Sequence, residues 1–256
     1  MPGFSLARRL KIGETVYCGW CPLGSAIVAE VLAREGFAAV SLDLQHGLWD
    51  VASAVAGIAA ITAGGAAPIM RIPYNDWAMV SRALDIGAEG VIAPMINTVE
   101  DAKKFVAVAK FPPLGERSWG PTRAMMLGGF ADQKVYLREA NAETVTLAMI
   151  ETRAALANID AIAATPGIDV LFVGPSDLSI TLSNGSVLDP HSSDVEAALD
   201  KIVAAARKAK KFAGLYCANA DRAVAMAKRG FSFLAVGSDL GFLREGAAAH
   251  IKKLKG

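Results

Sequence analysis

Five polar residues stand where apolar runs of the chain end, and their types suit proton transfer and the binding of charged groups. Asp43 and His46 close the run in "SLDLQHGLWD", and Arg71 closes the run in "PIMRIP". Glu151 follows "VTLAMI", and Asp177 follows "FVG" within "FVGPSDLS". His46 is one of only 3 histidines among 256 residues. A histidine can move a proton near neutral pH, an arginine can stabilise developing negative charge, and carboxylates can hold a cation.

Two of these residues, Glu151 and Asp177, predict a divalent metal site. A carboxylate directly after an apolar run is costly to bury without a partner. Two carboxylates at neighbouring strand ends repel each other unless a cation lies between them. Oxygen ligands suit Mg²⁺ or Mn²⁺, with Co²⁺ and Zn²⁺ as further candidates, and two protein ligands leave positions open for water and a chelating substrate. No organic cofactor is predicted, and the lack of a lysine at these strand ends argues against Schiff-base chemistry.

Each of these side chains also has a structural interpretation that the sequence leaves open. His46 can be a core histidine whose ring is satisfied by Asp43. Arg71 can pair with a carboxylate at a helix end, and Asp177 can be the N-cap of a short helix. The other two histidines are predicted to lie in solvent: His191 and His250.

The elements that must position these residues alternate between short apolar runs and longer amphipathic stretches. The amphipathic stretches carry apolar residues at three- and four-residue spacings, as helices do. Eight predicted strands stand in "TVYCGW", "AAVSLDL", "APIMRIP", "GVIAPMI", "TVTLAMIE", "DVLFVG", "FAGLYC" and "FLAVGS". Eight strand–helix units in about 250 residues predict a (β/α)8 TIM barrel, whose active site lies at the C-terminal ends of its strands. An open doubly wound sheet is the alternative, but no glycine-rich dinucleotide motif follows the first strand.

Glycines and one long segment mark the connections between these elements. Several predicted helices end in a glycine that is expected to adopt the left-handed conformation: Gly36, Gly65, Gly87, Gly167 and Gly230. The one long interruption, residues 111–133, lies between the fourth helix and the fifth strand and is predicted to be a functional or mobile loop. Its Arg117 and Arg123 can bind an acidic substrate tail or brace the loop.

The composition argues against several classes of partner. The chain is 53% hydrophobic and 20% charged, with a net charge of +1, so no strong field favours nucleic acid or an anionic membrane. No apolar run reaches the roughly 20 residues of a membrane span, and the N-terminus lacks the apolar segment of a secretion signal. We expect a single domain over residues 1–256 that acts in the cytoplasm, with no nucleic-acid and no membrane partner.

Cys18 and Cys21 give an alternative of a different class, because their spacing is that of a redox or zinc motif. Pro22 follows at once, and the pair straddles the end of a predicted strand, whereas a reactive pair sits at a helix N-terminus that lowers the thiol pKa. A structural zinc ion would need two more soft ligands, and Cys217 is the one remaining cysteine. We expect reduced, partly buried thiols, with a CxxC redox or zinc-binding protein as the alternative.

Six motifs in chain order match a known family: "DLQHG", "PIMRIP", "LDIGAEGVIAPMI", "GERSWGPTRA", "MIET" and "VGPSDLS". The chain resembles the HpcH/HpaI aldolases, metal-dependent class II aldolases of the phosphoenolpyruvate/pyruvate barrel superfamily. The resemblance implies reversible aldol cleavage of 4-hydroxy-2-keto acids into pyruvate, or hydroxypyruvate, and an aldehyde, through an enolate that the metal stabilises. It also implies a homo-oligomer, a trimer-based hexamer, in which the eighth helix is swapped between subunits.

The resemblance also implies roles for individual residues. The metal ligands would be Glu151 and Asp177. Arg71 would lie beside the substrate keto oxygen, and His46, oriented by Asp43, would act as the general acid or base.

Further roles concern the substrate and a neighbouring subunit. Asp85, late in the helix after the third strand, would reach only the active site of a neighbouring subunit. Backbone amides around "GPSD" would hold the substrate carboxylate. Contacts to the acceptor aldehyde would come from "GERSWGPTRA", from the region of Trp20 and Leu215, and from a neighbouring chain. The substrate-binding residues are thus Arg71, Gly174, Pro175, Ser176, Asp177, Trp20 and Leu215. Several family members carry glutamine where this chain has Met149.

Two related alternatives remain open at this point. A citrate-lyase-like acyl-CoA lyase would use a related barrel, but it would need a basic surface for the CoA phosphates. A phosphate-binding isomerase could use the glycine amides of "AVGSDLG" as an anion site, but it would leave Glu151 and Asp177 unexplained. The acceptor aldehyde and the choice between pyruvate and hydroxypyruvate are not specified by these motifs.

Overall fold

A closed barrel of eight parallel strands forms the centre of the protein, in a computed structural model that describes residues 4–255. Each strand pairs with its neighbours in chain order, and the eighth strand closes on the first. The predicted TIM barrel is therefore confirmed. The strands are β1 Val16–Cys21, β2 Ala39–Asp43, β3 Ala67–Arg71, β4 Gly90–Ala93, β5 Val145–Ile150, β6 Val170–Val173, β7 Phe212–Cys217 and β8 Phe233–Val236.

Helices surround this barrel. They are α1 Leu6–Lys11, α2 Ala26–Arg34, α3 Val51–Ala63, α4 Trp77–Asp85, α5 Val99–Ala109, α6 Thr122–Leu127, α7 Gln133–Glu143, α8 Arg153–Ala157, α9 Ile159–Ala164, α10 Pro175–Leu182, α11 Ser193–Lys208, α12 Ala220–Arg229 and α13 Asp239–Lys255. The segment 111–133 is not the uninterrupted loop that we expected, because it contains α6 and the first residue of α7. The side chain of Asp132 accepts hydrogen bonds from the first amides of α7 and so starts that helix.

Successive side chains of each strand point alternately into the barrel and toward the surrounding helices. This alternation decides where the last side chain of each strand points. Along β3, Ala67 and Ile69 pack inside the barrel, whereas Met70 packs in the layer between the strands and the helices. Arg71 is the next inward position of this strand. The same alternation makes Glu151 the inward position above Met149. Polar residues that occupy the last inward-facing position of a strand therefore converge at the C-terminal mouth of the barrel.

The opposite end of the barrel is closed by α1. Leu6 and Leu10 of this helix pack against the inward-facing residues of the strands. The buried carboxylate of Glu89 accepts hydrogen bonds from the amides of Ser5 and Leu6 at 2.7 and 2.8 Å, which satisfies the free N–H groups at the helix start. Small molecules can therefore enter the barrel interior from the C-terminal end of the strands.

The glycines expected to end helices do adopt positive φ angles: Gly36 (105°), Gly65 (90°), Gly87 (111°), Gly167 (91°) and Gly230 (109°). In this conformation a side chain would be strained, so glycine allows the chain to leave the helix and enter the next strand. None of the helices described for residues 4–255 combines the length and the apolar character needed to cross a bilayer.

Gly214 makes room for the ring of Phe172 and for the backbone of β8, and adding a methyl group there should destabilise the fold. A Cβ atom at this position would lie 2.8 Å from Cδ2 of Phe172 and 3.1 Å from the carbonyl oxygen of Phe233. We expect Gly214→Ala to lower the free energy of unfolding by about 1–3 kcal/mol, because neither the ring nor the strand can move freely. Urea denaturation at a fixed protein concentration measures this change.

Ala161→Ser is the control, because it also adds one heavy atom but on an exposed position of α9. It should change the free energy of unfolding by no more than about 0.5 kcal/mol. Equal effects of the two substitutions would contradict the packing role assigned to Gly214.

Candidate active site

A cavity of about 270 Å³ opens at the C-terminal end of the barrel strands. It collects side chains that are far apart in the sequence. Its lining residues are Trp20, His46, Arg71, Met149, Phe172, Gly174, Pro175, Ser176, Asp177 and Tyr216. The structure thus brings His46, Arg71 and Asp177 together, as the sequence predicted, and the buried carboxylate of Glu151 lies beside Gly174.

Asp43 and Arg71 form a buried two-point ion pair beneath this cavity. They are direct neighbours in the register of β2 and β3. Nε of Arg71 donates to Oδ1 of Asp43 at 2.8 Å, and Nη2 donates to Oδ2 at 2.6 Å. Burial by itself would raise the pKa of Asp43, but the hydrogen bonds and the charge of Arg71 hold this pKa below its ordinary value. Asp43 is therefore an anion that fixes the orientation of the guanidinium group.

Asp43 positions His46 through the backbone. Its Oδ1 accepts hydrogen bonds from the amides of Gln45 and His46 at 3.1 and 3.2 Å, which shapes the turn after β2. Among residues 4–255, Asp43 makes no hydrogen bond to the imidazole ring of His46, which is exposed at the rim. The expected contact between the Asp43 carboxylate and the His46 ring is therefore not formed. The carboxylate binds Arg71 and the backbone amides of the turn instead.

Trp20 connects this ion pair to the cavity wall. Its indole N–H donates to Oδ2 of Asp43 at 3.3 Å, and the guanidinium of Arg71 lies 4.9 Å from the centre of its ring. The ring also stacks on Phe172 and contacts the edge of Tyr216. These contacts restrict Arg71 to one orientation. Phe172 and Tyr216 are cavity residues that the sequence analysis did not identify, although each occupies an inward position of its strand.

Glu151 is a nearly fully buried carboxylate with one oxygen already bound. Its Oε1 accepts the amide of Met95 at 2.7 Å. Met95 has a φ angle of 55°, a left-handed conformation that is costly for a non-glycine residue and that turns its amide toward the carboxylate. Burial, together with the negative charge of Asp177, raises the pKa of Glu151 to about 7, against the opposing effects of the Met95 amide and the charge of Arg71. The signal for Met95 is a backbone angle and could not be found in the sequence.

The surroundings of Glu151 fit a bound cation. A Cβ atom at Gly174 would overlap Oε2 of Glu151, so glycine leaves this oxygen a free approach. Asp177, in the first turn of α10, is close enough for its charge to destabilise the ionised form of Glu151. A cation between the two carboxylates would relieve both the burial and the repulsion. Within the part of the chain that the structure describes, no three His, Cys, Asp or Glu side chains are grouped for metal binding, so the candidate donor set is these two carboxylates.

The N-terminus of α10 faces the same cavity and can bind an anion. Gly174 is its N-cap, Pro175 is its first residue, and no side chain of the described residues caps it. The amides of Ser176 and Asp177 are thus without a helical or capping partner at the positive end of the helix. That a substrate carboxylate binds here, as the resemblance implies, stays a prediction.

Asp85 and the 111–133 segment lie at the opposite end of the barrel. Asp85 is the last residue of α4 and forms an ion pair with Arg117, Nη2 to Oδ1 at 2.6 Å. The Arg117 guanidinium is buried over the ring of Phe111. Arg123 donates to the carbonyl oxygen of Val55 in α3. Both arginines thus brace this segment, and neither they nor Asp85 can line the cavity of their own barrel.

The last two residues before Cys217 in β7 border different cavities. Leu215 is buried on the outward side of the strand and borders a smaller neighbouring cavity. Tyr216 occupies the inward position and lines the main cavity, although the sequence analysis did not identify it. A contact between Leu215 and the acceptor aldehyde stays a prediction.

The geometry excludes a disulfide between Cys18 and Cys21. Cys18 packs inside the barrel, whereas Cys21 packs between the strands and the helices, so their side chains point in opposite directions. Burial raises the pKa of both thiols far above the ordinary value. The cysteines are free, as expected, and they are fully buried where partial burial was expected.

The start of α13 does not provide the anion site that a phosphate-binding isomerase would use. The side chain of Asp239 accepts the amide of Leu240 at 2.6 Å, and the hydroxyl of Ser238 accepts the amide of Gly241 at 3.1 Å. These side chains already satisfy the amides of the helix start. A buried carboxylate at this position would also repel a phosphate group.

Comparison with known proteins gives one consistent assignment. A family model described as HpcH/HpaI aldolase/citrate lyase matches residues 17–246. A hydroxypyruvate/pyruvate aldolase of Rhizorhabdus wittichii is 37% identical over 235 residues, which cover 92% of each protein. A 5-keto-4-deoxy-D-glucarate aldolase of Salmonella gallinarum is 36% identical over 240 residues, covering 93% of this chain and 90% of that protein. The crystal structure of an HpcH/HpaI aldolase/citrate lyase family protein from Burkholderia cenocepacia matches with a TM-score of 0.89 and 32% identity, covering 98% of this chain and 99% of that one. The chain therefore belongs to the HpcH/HpaI aldolase/citrate lyase family.

Proposed function

We propose that this protein is a divalent-metal-dependent aldolase that interconverts a 4-hydroxy-2-keto acid with pyruvate, or hydroxypyruvate, and an aldehyde. The observation that carries the proposal is the grouping of a fixed arginine, a histidine and two carboxylates around one cavity at the barrel mouth. Relatives named hydroxypyruvate/pyruvate aldolase and 5-keto-4-deoxy-D-glucarate aldolase support the same reaction class.

Glu151 and Asp177 would hold the metal ion, and their hard oxygen atoms favour Mg²⁺ or Mn²⁺, with Co²⁺ or Zn²⁺ as further candidates. When bound, the cation supplies positive charge to the oxygen on which an enolate develops. The chain contributes the remaining interactions. Amides of Ser176 and Asp177 bind the donor carboxylate and thereby place its keto oxygen toward Arg71.

Arg71 stabilises the developing negative charge with the N–H groups that Asp43 leaves free. Its Nε and one N–H of Nη2 donate to Asp43, and Nη1 donates no hydrogen bond among residues 4–255. Nη1 is therefore a donor available to the keto oxygen. In cleavage, the ring of His46 removes the proton of the C4 hydroxyl group, and in synthesis it assists loss of a C3 proton and returns a proton to the aldehyde oxygen.

The donor half of the reaction gives a direct test, because enolate formation exchanges the methyl protons of pyruvate with solvent. In deuterium oxide, we expect NMR to show methyl exchange that EDTA stops and that excess Mg²⁺ or Mn²⁺ restores. Glu151→Gln and Asp177→Asn should abolish the exchange, and His46→Asn should slow it by at least about 100-fold, the range of general acid–base catalysis.

Asp221→Asn is the control for the carboxylate variants, because Asp221 is exposed at the same end of the barrel. It should exchange at the wild-type rate. Undiminished exchange in EDTA would rule out metal dependence, and full exchange by His46→Asn would remove His46 from the mechanism.

The ion pair beneath the cavity predicts that Asp43→Asn is strongly impaired. An asparagine would present an N–H₂ group to one of the two donors of Arg71, and the guanidinium would lose its fixed orientation. We expect kcat/KM for methyl exchange to fall about 100- to 1000-fold, which corresponds to roughly 3–4 kcal/mol.

Asp50→Asn is the matched control, because Asp50 follows the same strand but only caps α3. Asparagine caps a helix about as well as aspartate does, so exchange by this variant should stay near the wild-type rate. Normal exchange by Asp43→Asn would show that the ion pair is dispensable.

We further propose that the protein is a homo-oligomer, a trimer-based hexamer with α13 swapped between subunits. Of the residues of α13, only Asp239 is buried, although the helix carries several apolar side chains that are 43–81% exposed: Leu240, Leu243, Ile251 and Leu254. Such a helix gains stability by packing on another subunit. Asp85, remote from the mouth of its own barrel, would then approach the rim of a neighbouring cavity, where His46 is exposed.

This assembly predicts that charges on α13 dissociate the oligomer. We expect the double variant Leu243→Glu, Ile251→Glu to have the molar mass of a monomer by light scattering, because the apolar contact is lost. Leu188→Glu changes an equally exposed leucine outside α13 and should keep the wild-type mass. An unchanged mass of the double variant would show that α13 does not hold the subunits together.

A further inference from the structure

The loop after β4, residues 94–98, holds a strained residue against the carboxylate of Glu151. The amide of Met95 donates to Oε1 of Glu151 at 2.7 Å, and the φ angle of Met95 is 55°. Such a conformation is costly for a non-glycine residue and persists only where the surrounding structure holds it in place. The contacts that fix this loop therefore decide whether the Met95 amide stays on the carboxylate.

Three amides that follow the strained residue attach the loop to β5 and to α5. The amide of Ile96 donates to the carbonyl oxygen of Met149 at 3.2 Å. The amides of Asn97 and Thr98 donate to Oδ2 of Asp101 at 3.1 and 3.0 Å. The main chain of the loop is thus held at β5 and at α5, and the side chain of Asn97 is left for a further contact.

Asn97 and Thr152 form a loop clamp, which joins this loop to the residues that follow β5. The hydroxyl group of Thr152 donates to Oδ1 of Asn97 and accepts the amide of Ala155 at 3.0 Å. A hydroxyl group has a single hydrogen, so the bond to Asn97 uses the one that Thr152 can donate. The side-chain amide of Asn158 donates to the carbonyl oxygen of Asn97 at 2.9 Å and reinforces the same connection. Side-chain hydrogen bonds thus connect the ends of β4 and β5 beyond the pairing of the strands themselves.

The loop clamp lies next to the hydrogen bond between Met95 and Glu151. Asn97 is two residues after Met95, and Thr152 directly follows Glu151. Both partners of that hydrogen bond are therefore attached to residues that the loop clamp holds together. Without the loop clamp, the loop can relax toward a negative φ angle, which withdraws the Met95 amide from the carboxylate.

We propose that the loop clamp positions the metal site by keeping the Met95 amide on Glu151. Asn97 and Thr152 are thus positioning residues, and this inference rests on the proposed metal-dependent aldolase function. The amide occupies Oε1 and so fixes the rotation of the carboxylate, which directs Oε2 to the space that Gly174 leaves free. Loss of the contacts that orient a metal ligand typically lowers the metal affinity about 10- to 100-fold.

Binding of Mn²⁺ without substrate tests the loop clamp, because EPR spectroscopy detects the free ion directly. We expect the Kd for Mn²⁺ to rise about 10- to 100-fold in Thr152→Val, which keeps the shape of the side chain but removes the hydroxyl group. Asn97→Ala should raise the Kd by a similar factor while it leaves the cap of α8 intact. The double variant should bind Mn²⁺ no more weakly than the weaker single variant, because both substitutions break the same bond. Thr152→Ser restores the hydroxyl group and should bind Mn²⁺ about as tightly as the wild type does.

Thr62→Val is the matched control, because the hydroxyl group of Thr62 also donates a hydrogen bond, to the carbonyl oxygen of Ile58 within α3. It should keep the wild-type Kd. An unchanged Kd in Thr152→Val or in Asn97→Ala, additive losses in the double variant, or the same loss in Thr62→Val would each overturn the inference. Mn²⁺ binding and methyl exchange by the wild type would still support the aldolase function in these cases. A wild-type protein that binds no Mn²⁺ would contradict the metal site itself, and the inference with it.

Discussion

The ion pair between Asp43 and Arg71 is the interaction on which the rest of the site depends. It joins the last paired positions of β2 and β3, so the barrel register itself brings the two charges together. The same carboxylate holds the turn that carries His46 and receives the indole N–H of Trp20. Removal of one partner would leave a buried charge, at a cost of about 3–5 kcal/mol. The orientation of the arginine, the course of the rim turn and the position of the aromatic wall are therefore coupled.

A second constraint acts on Glu151, whose burial favours the neutral acid. The fold accepts a left-handed backbone at Met95, worth about 1–3 kcal/mol of strain, which directs an amide at one oxygen of this carboxylate. At the other oxygen, Gly174 contributes no side chain that would block it. A strained backbone in the loop after β4 and a missing side chain directly after β6 thus prepare a carboxylate that is best stabilised by a cation.

Charged groups at the two ends of the barrel have different tasks. At the closed end, Lys110 is fully buried, donates to the carbonyl of Thr144 and pairs with Asp169 at 3.0 Å, and burial lowers its pKa. Arg117 likewise pairs with Asp85 there. The first pair joins the end of α5 to the start of β6, and the second joins the 111–133 segment to the end of α4. At the open end the charges are only partly compensated, and there they can meet a substrate.

The sequence by itself determined the barrel, the strand ends that carry Arg71, Glu151 and Asp177, and the glycines that end the helices, because alternation and turn chemistry are local properties. It did not identify Tyr216 as a residue of the main cavity, because an aromatic residue at an inward strand position is as common in a core as in a site. It assigned Asp43 to the ring of His46, although the tertiary structure gives this carboxylate to Arg71. Only the closed barrel decided that Asp43 pairs with Arg71, because a carboxylate pairs with the donor that the fold brings nearest. The two residues are 28 positions apart in the sequence.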